Sequence, residues 1–310
     1  MSKSFSQQPV RISEFARESG LEPYLLQLEM DGLAVVPPDV HGVTMDRIDE
    51  LTERLLDRAK ELTGCDFDLD QGPLQPLSFP KATAPSLTAE DPAPSQFLIQ
   101  QLGSLHRMFR DLAVNPIAVE LIRSMIGRQM TRFSSHNSFV KWQGEHGYGP
   151  SLGLHADQNA MPLPWGRSAL TANTNWCLTD YTKEGGALAY VPGSHRFGSR
   201  PAFPAAVSQA RAVEAPRGSV IVFHGATWHG AYPKLTPGMR ISIANYYRHQ
   251  MVTSQEDIQN HFDRALADDC ADPALFRELA GFSDTFPYQR QNQRCLLYTS
   301  PSPRDRTRSR

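Results

Sequence analysis

The run MTRFSSHNSFVKW at residues 130–142 opens a β-rich stretch that sets the fold. After it come ALTANTNWCLTDY (169–181), ALAYVPG (187–193), SVIVFHG (219–225) and RISIANYYR (240–248), short alternating runs parted by Gly and Pro turns. Strands of that length and spacing predict a β-sandwich, barrel or jelly roll.

Helices are expected on either side. Toward the N-terminus, residues 12–30 read as helix with a break near Pro23, and DGLAVVPP (31–38) as a β-branched strand ended by prolines. In TMDRIDELTERLLDRAKELTG (44–64), Thr44 is the expected N-cap and Gly64 the stop, with Ile48, Leu51, Leu55, Leu56, Ala59 and Leu62 on one face that should pack on a sheet. Residues 70–95 are rich in Pro, Ser and Ala and predict a long loop. Residues 96–127 return to a helical pattern interrupted at Asn115-Pro116, and residues 254–281 are helical again, with Pro273 opening a second short helix.

The expected organisation is one domain over 1–294. It comprises a mainly helical part with an early strand (1–129), a β core (130–250) and C-terminal helices (251–294). The last residues, CLLYTSPSPRDRTRSR (295–310), have no hydrophobic period, and Cys295 to Asp305 match the translation of a common transposon-end sequencing adapter residue for residue. They are expected to be an artefact and are set aside.

Composition bounds the function. The apolar fraction is 40%, the charged fraction 21% and the net charge −2, with no Lys/Arg stripe through the folded part, so a nucleic-acid-binding surface is not expected. No stretch of about 18 apolar residues occurs and the first residues lack a signal-peptide core, which predicts a cytoplasmic protein with no membrane partner. The four cysteines, Cys65, Cys177, Cys270 and Cys295, form no CxxC pair and predict reduced thiols.

Chemistry concentrates in the β core. In GLHADQN (153–159), His155 and Asp157 stand two apart, so on a strand both side chains face one side. GSVIVFHGATWHGAYP then supplies His229 just after a strongly β run. Two imidazoles and one carboxylate on one face of a metal leave three positions open, as in non-haem Fe(II) oxygenases. Beyond the turn LTPG lies Arg240, whose planar guanidinium suits the distal carboxylate of a dicarboxylic acid such as 2-oxoglutarate.

These segments resemble the phytanoyl-CoA dioxygenase family of Fe(II)/2-oxoglutarate-dependent oxygenases. The likeness runs in order over roughly 31–250, through DGLAVVPP, FVKWQGEHGYGPSLGLHADQN, NWCLTDYTKEGGALAYVPGSH and FHGATWHG followed by Arg240. It implies a double-stranded β-helix (jelly roll, cupin-like) with flanking α-helices. It also implies His155, Asp157 and His229 as iron ligands and catalytic centre, Arg240 on the 2-oxoglutarate C5 carboxylate, and Trp176 lining the co-substrate pocket. Some relatives carry a hydroxyl two residues after the distal His; here that position is Ala231, with Thr227 or Tyr246 as possible substitutes.

Lys141 and Asn137, on the strand before the HxD segment, are candidate contacts to substrate or co-substrate, with a solvated strand position as the alternative. His195 and His224 read as structural, and His136, His146 and His249 carry no supporting pattern. The implied reaction uses O₂ and 2-oxoglutarate as co-substrates, releases succinate and CO₂, and hydroxylates a small organic metabolite. The rivals are a non-catalytic jelly-roll binding protein and a cupin-like metalloenzyme independent of 2-oxoglutarate.

Overall fold

The computed structural model describes residues 12–77, 95–144 and 149–284. Most of the expected 70–95 loop, His146, and the 295–310 tail lie outside them.

Two antiparallel sheets form the core. The larger joins β1 (Leu33–Val36), β9 (Val220–His224), β6 (Thr171–Cys177), β11 (Met239–His249), β5 (Thr131–Trp142) and β4 (Gln96–Ile99), in that order. The smaller joins β10 (His229–Ala231), β7 (Leu188–Tyr190) and β8 (Arg211–Ala212), while β2 (Phe67–Asp68) and β3 (Gly72–Pro73) make a separate short hairpin. This is the expected mainly β, jelly-roll core with flanking helices. Of three isolated main-chain bridges among the described residues, the one from His155 to His229 adds to the smaller sheet beside β10.

Strand alternation assigns the two faces of the larger sheet. Ala34, Val36, Val140, Trp176, Val220, Val222, Ile241 and Ile243 point one way and join the helix side chains in one apolar cluster. Leu33, Cys177, Ile221 and Phe223 point the other way, and with Tyr181, Leu188 and Val213 they fill the space between the sheets. The inner face is therefore shared between apolar packing and the polar residues of the site.

The helix Met45–Thr63 starts and stops as its sequence dictates. The Thr44 hydroxyl accepts the Arg47 N–H, and Gly64 closes the helix in the left-handed conformation at φ 70°. Ile48, Leu51, Leu55 and Ala59 are fully buried, whereas Leu62 is exposed at the final turn. Pro23 lies in the first turn of the helix Glu22–Asp31, which accounts for the break after Glu14–Glu18.

Residues 96–99 depart from the expected helix. Gln96–Ile99 pairs with Lys141–Ser138 as an edge strand, and the helices begin only at Leu102. The apolar run QFLI serves either pattern, and the free edge of β5 decides between them. Downstream, the break at Asn115-Pro116 holds: Asn115 accepts the Ala118 N–H and caps Pro116–Ile126. Pro273 likewise opens Pro273–Leu279. Among the described residues no helix is long and apolar enough to cross a membrane.

Candidate metal centre

His155 is not on a regular strand. It makes a single bridge, exchanging both main-chain hydrogen bonds with His229 at 2.8 Å each, and the chain turns directly afterwards at Asp157. The strand expected through 155–157 is reduced to one bridge residue followed by a turn, yet the two side chains still converge with His229. Gly230, next to His229, permits the close approach: a Cβ there would stand 2.1 Å from the Leu152 carbonyl oxygen.

The ligand atoms of His155, Asp157 and His229 all lie within 4.8 Å of one another. Asp157 Oδ1 is 3.5 Å from His155 Nε2, and Oδ2 is 3.6 Å from His229 Nε2. The two imidazoles are oriented from behind. His155 Nδ1 lies 2.8 Å from the Gly153 carbonyl and His229 Nδ1 2.9 Å from the Thr227 carbonyl. A carbonyl can only accept, so each Nδ1 donates and each Nε2 presents its lone pair inward, as a metal ligand must.

Charge follows the same plan. Burial opposes ionisation of Asp157, but the neighbouring His229 and His155, with a hydrogen bond from the Asn173 amide, hold its carboxyl below the ordinary range. Burial pushes the His229 imidazole down. Burial draws half-exposed His155 down, and Asp157 together with the hydrogen bond to the Gly153 carbonyl brings it above its ordinary value. One fixed anion beside two imidazoles is a donor set for a divalent borderline metal.

Arg240 lies deep in the barrel, on the inner face of β11 opposite Lys141 of β5. It is 4% exposed, its guanidinium lies 5.0 Å above the Tyr181 ring, and one terminal nitrogen donates to the Tyr181 hydroxyl at 2.8 Å. Its Nε has no hydrogen-bond partner, and no carboxylate pairs with it among the described residues. Asn175 and Asn137, both facing inward between Arg240 and the metal-ligating group, also hold buried, unpartnered Oδ1 atoms. A buried cation and a track of unsatisfied polar atoms leading to the triad fit an elongated polar anion.

The other expected residues divide. Lys141 is buried, donates to the Tyr232 carbonyl at 2.6 Å, and is pushed down to about 7 by burial, with Arg240 and Lys234 adding to the effect. Trp176 needs correction. It lies on the opposite face, fully buried in the helix-facing core and edge-on to His41 at 5.0 Å between ring centroids, so it does not line the pocket. Its neighbour Asn175 does, because adjacent strand residues face opposite sides.

The hydroxyl substitutes are also resolved. Thr227 donates to the Gly32 carbonyl at 2.9 Å, Tyr246 reaches the Asp157 main-chain carbonyl at 3.3 Å, and the hydroxyl beside Arg240 belongs to Tyr181. His224 is packed beside His195, 5.3 Å between ring centroids, away from the triad. Tyr181, Asn173 and Asn175 went unnoticed in the sequence. The asparagines carried a signal, since in TANTNWC they alternate with residues bound for the core.

The fold and site together define a jelly-roll protein with a two-histidine, one-carboxylate group that could hold a metal ion. The model for the phytanoyl-CoA dioxygenase (PhyH) family matches residues 29–242, and the chain belongs to that family, whose iron- and 2-oxoglutarate-dependent chemistry suits the donor set. A relative from Aspergillus fumigatus, "Dioxygenase af480", is 33% identical over 148 residues, covering 47% of this chain and 46% of the relative. The chain thus spans about half the length of that curated relative.

Solved structures share the fold. SnoN, an epimerase from nogalamycin biosynthesis crystallised with Fe³⁺, alpha ketoglutarate and nogalamycin RO, is 19% identical with a TM-score of 0.52, covering 75% of this chain and 84% of its own. HygX from Streptomyces hygroscopicus, with nickel and 2-oxoglutarate, is 18% identical with a TM-score of 0.51, covering 75% and 88%.

Proposed function

We propose that this protein is an Fe(II)/2-oxoglutarate-dependent dioxygenase that hydroxylates an unactivated C–H bond of a small organic metabolite, releasing succinate and CO₂. The observation that carries the reading is the His155, Asp157 and His229 group together with a buried Arg240 on the inner face of the same core, with which no carboxylate pairs among the described residues. In this reading His155, Asp157 and His229 hold the iron and Arg240 clamps the C5 carboxylate of 2-oxoglutarate.

Bound there, iron(II) with 2-oxoglutarate supplies the O₂-activating chemistry that ends in substrate oxidation. The chain supplies the rest. Asp157 contributes the fixed negative charge, and the Gly153 and Thr227 carbonyls keep the imidazoles aimed. Arg240, braced by the Tyr181 hydroxyl and ring, fixes the co-substrate's far end. Asn137 and Asn175 offer hydrogen bonds along the channel, and the packed apolar side chains between the sheets exclude water. Lys141, opposite Arg240 on β5, sets a second basic side chain beside the clamp.

The test is an anaerobic titration of the apo-protein with Fe(II) and then 2-oxoglutarate, followed in the visible. A charge-transfer band that needs both components and decays on admitting O₂ is the expected result. Folded, iron-loaded protein without such a band would favour the 2-oxoglutarate-independent or binding-only alternative.

A further inference from the structure

Asp157 faces both imidazoles, one carboxylate oxygen toward each: Oδ1 toward His155 and Oδ2 toward His229. An ion bound to both Nε2 atoms is therefore within reach of either oxygen or of both. The difference matters for the count of positions. Two histidines and a one-oxygen carboxylate leave three sites of an octahedral ion free, enough for a chelating 2-oxo acid and O₂. A chelating carboxylate would leave two, and the co-substrate alone would fill them.

Asn173 bears on which arrangement the protein favours. Its side-chain N–H donates to Asp157 Oδ2. It stands on β6, held between Phe223 of β9 and Tyr246 of β11, so its backbone cannot drift. Tyr246 adds a contact to the Asp157 main-chain carbonyl, fixing the base of the side chain while Asn173 fixes its tip. The amide proton occupies lone-pair density on Oδ2 and leaves Oδ1 the better donor.

We infer that Asn173 is a positioning residue that holds Asp157 as a one-oxygen ligand and so keeps a third coordination site open. The inference rests on the iron reading above. It uses none of the residues that reading assigns to the co-substrate.

The test compares wild type with Asn173→Leu, which keeps the shape and removes the donor, and with Asn173→Ala, each titrated anaerobically with Co(II) alone. Both variants should bind Co(II) about ten- to a hundredfold more weakly. Their visible spectra should also shift with the changed coordination, which a purely structural role would not produce. Affinity within threefold of wild type and an unchanged spectrum in either folded variant would overturn the role.

A second measurement does not depend on the variants folding. The metal-minus-apo infrared difference spectrum of the wild type should show the wide carboxylate splitting of one-oxygen binding, and the narrow splitting of a chelate would overturn the inference. Absence of the Fe(II)/2-oxoglutarate band in wild type would sink the proposed function. The cobalt and infrared data decide the Asn173 role separately.

Discussion

Replacing Arg240 by alanine isolates the clamp from the metal centre. The guanidinium is almost fully buried, held on one side by the Tyr181 hydroxyl and ring, and it keeps an unpartnered Nε. A carboxylate bound to it would make charge-assisted hydrogen bonds worth about 1.5–3 kcal/mol each. Truncating one partner of a buried charged pair costs about 2–5 kcal/mol.

Two such bonds, less what nearby Lys141 returns as residual attraction, give about 3–4 kcal/mol. The 2-oxoglutarate Kd should then rise by about two to three orders of magnitude. Iron binding should change little, since Arg240 contacts none of the three ligands. Arg240→Lys keeps the charge but loses the fork, and should fall between. Anaerobic calorimetry of the apo-proteins with Fe(II), and then of the loaded proteins with 2-oxoglutarate, gives both affinities. A shift of less than threefold in Arg240→Ala would refute the argument, because it would place the co-substrate carboxylate elsewhere.

Asp157→Ala removes the only anionic member of the triad, so it should lose iron on gel filtration and abolish product formation; unchanged succinate release and product would remove Asp157 from the ligand set. Trp176→Phe should lower stability by about 1–2 kcal/mol through the cavity it leaves in the helix-facing core, with the 2-oxoglutarate Kd unmoved; a tenfold change in that Kd would return Trp176 to the pocket.

Acid stability follows from His136 and His224, each pushed down to about 4 by burial. The unfolded chain takes up these protons below about pH 6.5 while the folded chain refuses them until about 4. Stability should therefore be full above pH 6.5 and fall toward pH 4, with a limiting slope of about 2.7 kcal/mol per pH unit if both contribute fully. Urea titrations at stepped pH check this, and a flat profile over that window would contradict it.

The periodicity of the β runs and the caps of the helix Met45–Thr63 were legible because each depends on neighbours in the chain. The triad was legible for a similar reason: His155 and Asp157 are close in sequence, and His229 follows a strong strand signal. What the sequence could not say is which face of a strand turns inward. Both faces of β6 are buried, one against helices and one toward the channel, so burial does not separate Asn173 and Asn175 from Thr174 and Trp176. The register against β9 and β11 decides it, and that depends on residues far along the chain. Tyr181 was hidden likewise, since only the folded barrel brings it beneath Arg240. The strand at 96–99 was missed because four apolar-rich residues fit either period.

The bridge between His155 and His229 has a bearing on folding as well as on chemistry. Few main-chain bonds register the HxD segment against the smaller sheet, the His155–His229 pair and the Ala231 N–H to the Leu152 carbonyl among them, and side chains from both partners converge on one point. An ion gripped there ties together two stretches of chain that are remote in sequence, and its binding free energy adds to the stability of that seam. The cofactor thus doubles as a fastener. Removing it should therefore loosen that seam first, while the larger sheet holds, and limited proteolysis would report the difference.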